Sequence, residues 1–286
     1  MAVTFKTLKC DAQIFKELSK NPDWWLKFKN TSSLYIDIRK DNQVNVYYEG
    51  GSIARIHYCS KHKRLQVFIH HKYLGLNAPS KSNAYIDVLD KDRMNKICSG
   101  GIHISIDRIL ENVKKCYSRK NQSDIDGYPK RKWSETFIKG RLINKNMSIH
   151  IDSEFAYKDG ESDTRIDLVR CDNGLVTFVE LKRMDDGRML HKDDKDPEIV
   201  SQMRKYASFI KEYKDLILLY YQDVYDIKKD LGLPVPGLRP VAVNPIPQLL
   251  IFDRWERNTA KREIHRKRVK ECLDREKVEY CIESDL

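Results

Sequence analysis

Residues 164–183, TRIDLVRCDNGLVTFVELKR, hold two β-rich runs on either side of Asp172-Asn173-Gly174. Asn-Gly at the centre of such a segment favours a type I′ hairpin, because both loop residues must take positive φ. With Asn173 and Gly174 as the loop, Asp172 faces Leu175, and the same register sets Asp167 opposite Glu180. Opposed residues of an antiparallel pair share a face, with Cβ atoms about 4.5–5.5 Å apart. Lys182, two residues past Glu180, points to that face as well. A three-residue loop would set Asp167 against Val179 and scatter the three.

Two carboxylates held this close repel unless positive charge sits between them. A hard divalent cation with oxygen ligands meets that need, and a neighbouring lysine can orient a water or offset developing charge. A solvated hairpin with a cross-strand ion pair is the plainer reading of the same residues.

The flanking segments add candidates. Residues 130–143, KRKWSETFIKGRLI, read as a helix in which Glu135 shares a face with Ile138 and Leu142. Residues 197–213 read as an amphipathic helix, with Gln202 and Tyr206 spaced i, i+4 on the face of Ile199 and Ile210. Lys130, Arg131 and Lys132 form the local basic cluster, open to phosphate contact or to a plain solvated helix start.

Upstream, residues 11–29 read as a helix, followed by strands at 33–39, 43–50, 52–59 and 64–71, with turns at Asp41-Asn42 and Gly50-Gly51. Their alternation suits an antiparallel sheet with one wet face. Residues 102–117 read as a short strand entering a helix. The polar segment 118–131 is the expected boundary between a β-rich domain, 1–120, and a second domain, 121–286. A strand is expected at 248–253 and a charged helix at 254–277, where ten Lys or Arg meet five acids.

In all, 53 Lys and Arg against 42 Asp and Glu give a charge of +11, which suits a polyanionic partner as well as simple solubility. Seven scattered cysteines without a CxxC pair predict reduced thiols and a cytoplasmic setting rather than a disulfide framework. The first residues carry charges where a signal peptide would be apolar, and no run approaches the ~18 apolar residues of a membrane span. His57, His70, His71 and His103 lack metal-ligand spacing and read as surface or sheet histidines.

Taken in order, Glu135, Asp167, Glu180-x-Lys182 and Gln202-x-x-x-Tyr206 resemble the PD-(D/E)XK nuclease superfamily, in its RecB and lambda exonuclease-like branch. The likeness spans roughly residues 130–225; Ile166 stands where the motif name has proline. It implies a mixed α/β fold, a restriction endonuclease-like αβββαβ core behind the N-terminal β-rich domain. The core would comprise a helix around 131–142, strands around 147–157, 164–170 and 175–182, a helix 198–213 and a strand 215–222. It implies that Asp167, Glu180 and the Leu181 carbonyl hold Mg²⁺ or Mn²⁺ and that Lys182 assists the attacking water. Gln202 and Tyr206 would order the site and the nucleic-acid strand. Glu135, with Glu154 as the weaker candidate, would serve a second metal or a metal-bound water.

The expected activity is metal-dependent hydrolysis of phosphodiesters, DNA ahead of RNA, of the kind used in restriction, repair or anti-phage defence. The N-terminal domain would select substrate or receive a signal, and a homodimer would suit cutting of both strands. A non-catalytic nucleic-acid-binding module on the same core, and a basic scaffold protein, are the other readings open to this sequence.

Overall fold

The computed structural model describes residues 7–75, 84–92, 94, 106–119, 134–159, 162–190, 197–254 and 258–286. The chain forms two compact units, Met1–Lys145 with Asp226–Pro234, and Asn146–Tyr225 with Val235–Leu286. The sequence places a division at 120/121; by contacts, the helix of residues 135–145 groups with the first unit.

The first unit begins with α1 (Gln13–Ser19) and α2 (Asp23–Lys29), not the single helix expected over 11–29. Asn21 takes φ 51° directly before Pro22, where the proline ring disfavours a helical neighbour. Five strands follow: β1 (Leu34–Arg39), β2 (Gln43–Tyr48), β3 (Gly51–Cys59), β4 (Arg64–His70) and β5 (Tyr85–Asp87). They form an antiparallel meander in chain order. The β2–β3 turn is Glu49-Gly50, both at positive φ, one residue earlier than expected.

One face of this sheet is apolar throughout. Ile36, Val46, Ala54, Ile69 and Ile86 line up across all five strands and are buried. The other face is partly wet over β3–β5, where Arg55 and Tyr85 are exposed, His57, Phe68 and His70 are half-buried and Asp87 is buried. Over β1 and β2 it is closed: Tyr35 and Tyr47 stack at 4.9 Å, and the Lys228 ammonium lies 3.2 Å from the buried Asp37 carboxylate. Helix α3 (Ile106–Arg119) buries Ile106, Ile109 and Val113 at helical spacing. Helix α4 (Glu135–Lys145) packs on β1 and β3.

The second unit carries a mixed sheet. β6 (His150–Asp159), β7 (Ser162–Asp172) and β8 (Leu175–Arg183) are an antiparallel meander. β10 (Gln248–Phe252) runs parallel to β8, and β11 (Tyr280–Glu283) parallel to β10. The two-residue β9 (Ala242–Val243) pairs with the start of β8. The fold class is therefore mixed α/β, with one antiparallel and one mixed sheet.

Helix α5 (Glu198–Asp230) joins β8 to β10, and α6 (Ala260–Arg275) joins β10 to β11. The strand expected at 215–222 is part of α5. Its apolar residues suit a strand by type, but Ile217, Tyr220, Tyr221 and Val224 are buried while Leu216 and Leu219 are exposed. That is the 3.6-residue period of a helix. The expected end near Tyr213 survives only as a kink, φ −104° and ψ 16°. Phe155, Phe178, Phe209 and Tyr221 meet between α5 and the sheet, with ring centroids 5.0–6.4 Å apart. Among the described residues no helix is long and apolar enough to cross a membrane.

Candidate functional site

The site starts from the hairpin turn. Asn173 and Gly174 take φ 48° and 79°, the left-handed values a type I′ turn needs. The Gly174 carbonyl accepts from the Val241 amide at 2.8 Å, which ties the loop to the segment before β9. The pairing runs from Asp172↔Leu175 to Leu168↔Val179, the register expected from the two-residue loop.

The ladder ends at Leu168↔Val179, and the next position sets Asp167 against Glu180. Here side chain replaces ladder: Asp167 Oδ2 accepts from the Leu181 amide at 3.2 Å. A backbone donor at the end of a pairing needs an acceptor, and this carboxylate supplies it. At the same level of β6, Glu154 takes φ 52°, between the pairs Ser153↔Leu168 and Phe155↔Ile166. Glu154 is exposed.

Past this point β8 is held from its other edge by β10, with Leu249↔Glu180 and Ile251↔Lys182 in register. Glu180 and Lys182 are only 4% and 2% exposed. The Lys182 ammonium meets Glu180 Oε1 in a buried ion pair and donates to the Leu181 carbonyl at 3.1 Å. Helix α5 completes the cluster. Gln202 Nε2 donates to Glu180 Oε1 at 2.9 Å and lies 2.6 Å from the Tyr206 hydroxyl. That hydroxyl donates to the Arg165 carbonyl. Burial, and then the Glu180 charge, raise the Tyr206 hydroxyl well above the ordinary tyrosine range, so it stays a neutral donor.

Asp167, Glu180, Leu181, Lys182, Gln202 and Tyr206 thus form one hydrogen-bonded group within the second unit. Glu135 stands in the first turn of α4, inside the first unit. Lys130, Arg131 and Lys132 lie outside the described residues. Sequence reasoning did not single out the Arg165 carbonyl, since no side-chain pattern marks a main-chain acceptor. It also overlooked Asp152, which is buried and accepts from Tyr221 at 3.1 Å; nothing in its local sequence announces a helix partner 69 residues away.

The donor set is oxygen throughout: two carboxylates and a main-chain carbonyl. Two of these atoms, Glu180 Oε1 and the Leu181 oxygen, already converge on one cation, the Lys182 ammonium. Beside them Gln202 Oε1 is buried without a hydrogen-bond partner. These donors suit a hard divalent ion. Among the described residues no group of three or more His, Cys, Asp or Glu side chains forms a metal cage, so an ion here would draw on the backbone as well. No protein-family model, curated protein or solved structure matches the chain.

Proposed function

We propose that this protein is a metal-dependent nuclease of the PD-(D/E)XK kind, hydrolysing phosphodiester bonds, with DNA the first substrate to test. The observation that carries this reading is the convergence of the buried Glu180, Lys182 and Tyr206 and the half-buried Asp167 and Gln202 on one hydrogen-bonded network. The order of elements supports it: helix, three antiparallel strands, helix, then a strand parallel to the third. The closing strand is β10 instead of residues 215–222, and the opening helix α4 groups with the first unit.

Asp167, Glu180 and the Leu181 carbonyl would hold Mg²⁺ or Mn²⁺. When bound, the ion supplies positive charge at the scissile phosphate and makes a water more acidic. Gln202 keeps Glu180 oriented, and Tyr206 anchors Gln202 to the backbone of β7. Lys182, which the structure holds against Glu180 and the Leu181 carbonyl, would orient the attacking water and offset charge building on the phosphate. Products with 5′-phosphate and 3′-hydroxyl ends are those the superfamily likeness implies.

The test is incubation with supercoiled, linear and single-stranded DNA and with RNA, in Mg²⁺, Mn²⁺ or EDTA. Cleavage that needs metal and vanishes in both Lys182→Ala and Glu180→Ala is the expected result. Cleavage that survives both substitutions, or ignores EDTA, overturns this assignment of the site.

A further inference from the structure

The wet half of the N-terminal sheet has a composition that the cleavage reading does not use. Arg55 on β3 pairs with Phe68 on β4, and His70 on β4 with Tyr85 on β5. These side chains share the face opposite the apolar one. Arg55 reaches across β4 and sets its guanidinium 4.8 Å from the Tyr85 ring centroid. His57 meets Phe68 edge-on at 5.7 Å, and His70 meets Tyr85 at 5.2 Å. Arg55 and Tyr85 are both exposed. Burial, helped by neighbouring cations, holds both histidines below their ordinary value, so at neutral pH they are uncharged rings.

The surroundings are basic. Lys61 and Lys63 are exposed at the β3–β4 turn, and Lys72 is exposed just past the far end of β4. The unit as a whole holds 30 Lys and Arg against 16 Asp and Glu, whereas the second unit holds 23 against 26. The positive charge of the chain therefore resides in the unit that carries this aromatic face.

We propose that the β3–β5 face binds single-stranded nucleic acid, with unpaired bases stacking on Tyr85 and the Arg55 guanidinium and phosphates meeting the lysines at the strand ends. Planar side chains on an open sheet fit base faces, which a duplex hides in its own stack. Cationic groups at the rim fit a continuous phosphate chain. The site does not rest on the cleavage reading, since binding is measured without metal.

The experiment is fluorescence anisotropy of the full chain in EDTA. The probes are labelled single-stranded DNA, single-stranded RNA, duplex DNA of the same sequence and an abasic strand of equal length. The single strands are expected to bind more tightly than the duplex and the abasic strand, and the DNA and RNA arms say which sugar is preferred. Tyr85→Ala and Arg55→Ala should each weaken binding about five- to a hundredfold, with Tyr85→Phe close to wild type. Both substituted side chains lie at the surface, and unchanged thermal midpoints verify that the fold is kept. Equal binding of the abasic strand or of the duplex, wild-type affinity in Tyr85→Ala, or no binding by any strand overturns the proposal.

Discussion

Lys182 carries an ammonium into a site where it is 2% exposed, against a Glu180 carboxylate that is 4% exposed. A buried pair of this kind contributes little relative to apolar residues of the same size, but removing one partner strands the other's charge. Lys182→Met is therefore expected to cost about 3–5 kcal/mol. Glu180→Gln added to it should restore part of that loss, because Gln202 then faces a neutral amide. Urea denaturation of the two variants checks this; equal stability of single and double variants would show that the charges are not coupled. Tyr206→Phe removes the hydroxyl that donates to the Arg165 carbonyl in a part-buried bond, and is expected to cost about 1 kcal/mol by leaving that acceptor unmet. At this scale the sequence was informative where local chemistry decides. Asn173-Gly174 set the register, and the register set Asp167 against Glu180. The bond from the Leu181 amide to Asp167 was not readable, because it depends on the ladder ending at Leu168.

Among the elements, hairpins were legible and the long helix was not. A turn declares itself through residues that tolerate positive φ, such as Asp41, Asn42, Asn173 and Gly174. Residues 215–222, rich in Leu, Ile and Tyr, are strand-like in type, and only burial on a 3.6-residue period shows them to be helix. The packing of α4 on the β2–β3 turn was equally hidden. A Cβ on Gly140 would lie 2.2 Å from the Gly50 amide nitrogen, and one on Gly50 would lie 1.8 Å from the Thr136 carbonyl oxygen. Both obstacles are backbone, which cannot rotate aside as a side chain can. Gly140→Ala is therefore expected to destabilise the protein by about 1–3 kcal/mol or more. Gly187→Ala and Gly237→Ala, which meet nothing within 4 Å, should stay within about 0.5 kcal/mol of wild type. Thermal unfolding of the three variants decides, and a Gly140→Ala midpoint equal to the controls would mean that helix and turn can separate at little cost.

For the whole molecule, the pairings that complete the second sheet join distant segments: β8 to β10 across some seventy residues, and β10 to β11 across α6. No local pattern specifies such a partner, which is why β11 went unread while the hairpin beside it did not. The partition of charge was hidden for the same reason, since it appears only once contacts assign each residue to a unit. It also separates the two proposed functions, which a net charge of +11 would blend. If the buried network cuts and the N-terminal sheet grips, each should fail alone. Lys182→Ala should abolish metal-dependent cleavage and leave single-strand affinity within about twofold, because Lys182 is buried in the unit that carries no positive surplus. The double variant Arg55→Ala/Tyr85→Ala should raise the protein concentration needed for half-maximal single-turnover cleavage about tenfold or more, with the rate at saturation held. Raising salt from about 50 to 200 mM should weaken wild type and the cleavage-dead variant in parallel, since both keep the same phosphate contacts. A fall in the saturated rate of the Arg55/Tyr85 variant would instead place those side chains in the cutting step and join what the charge partition separates.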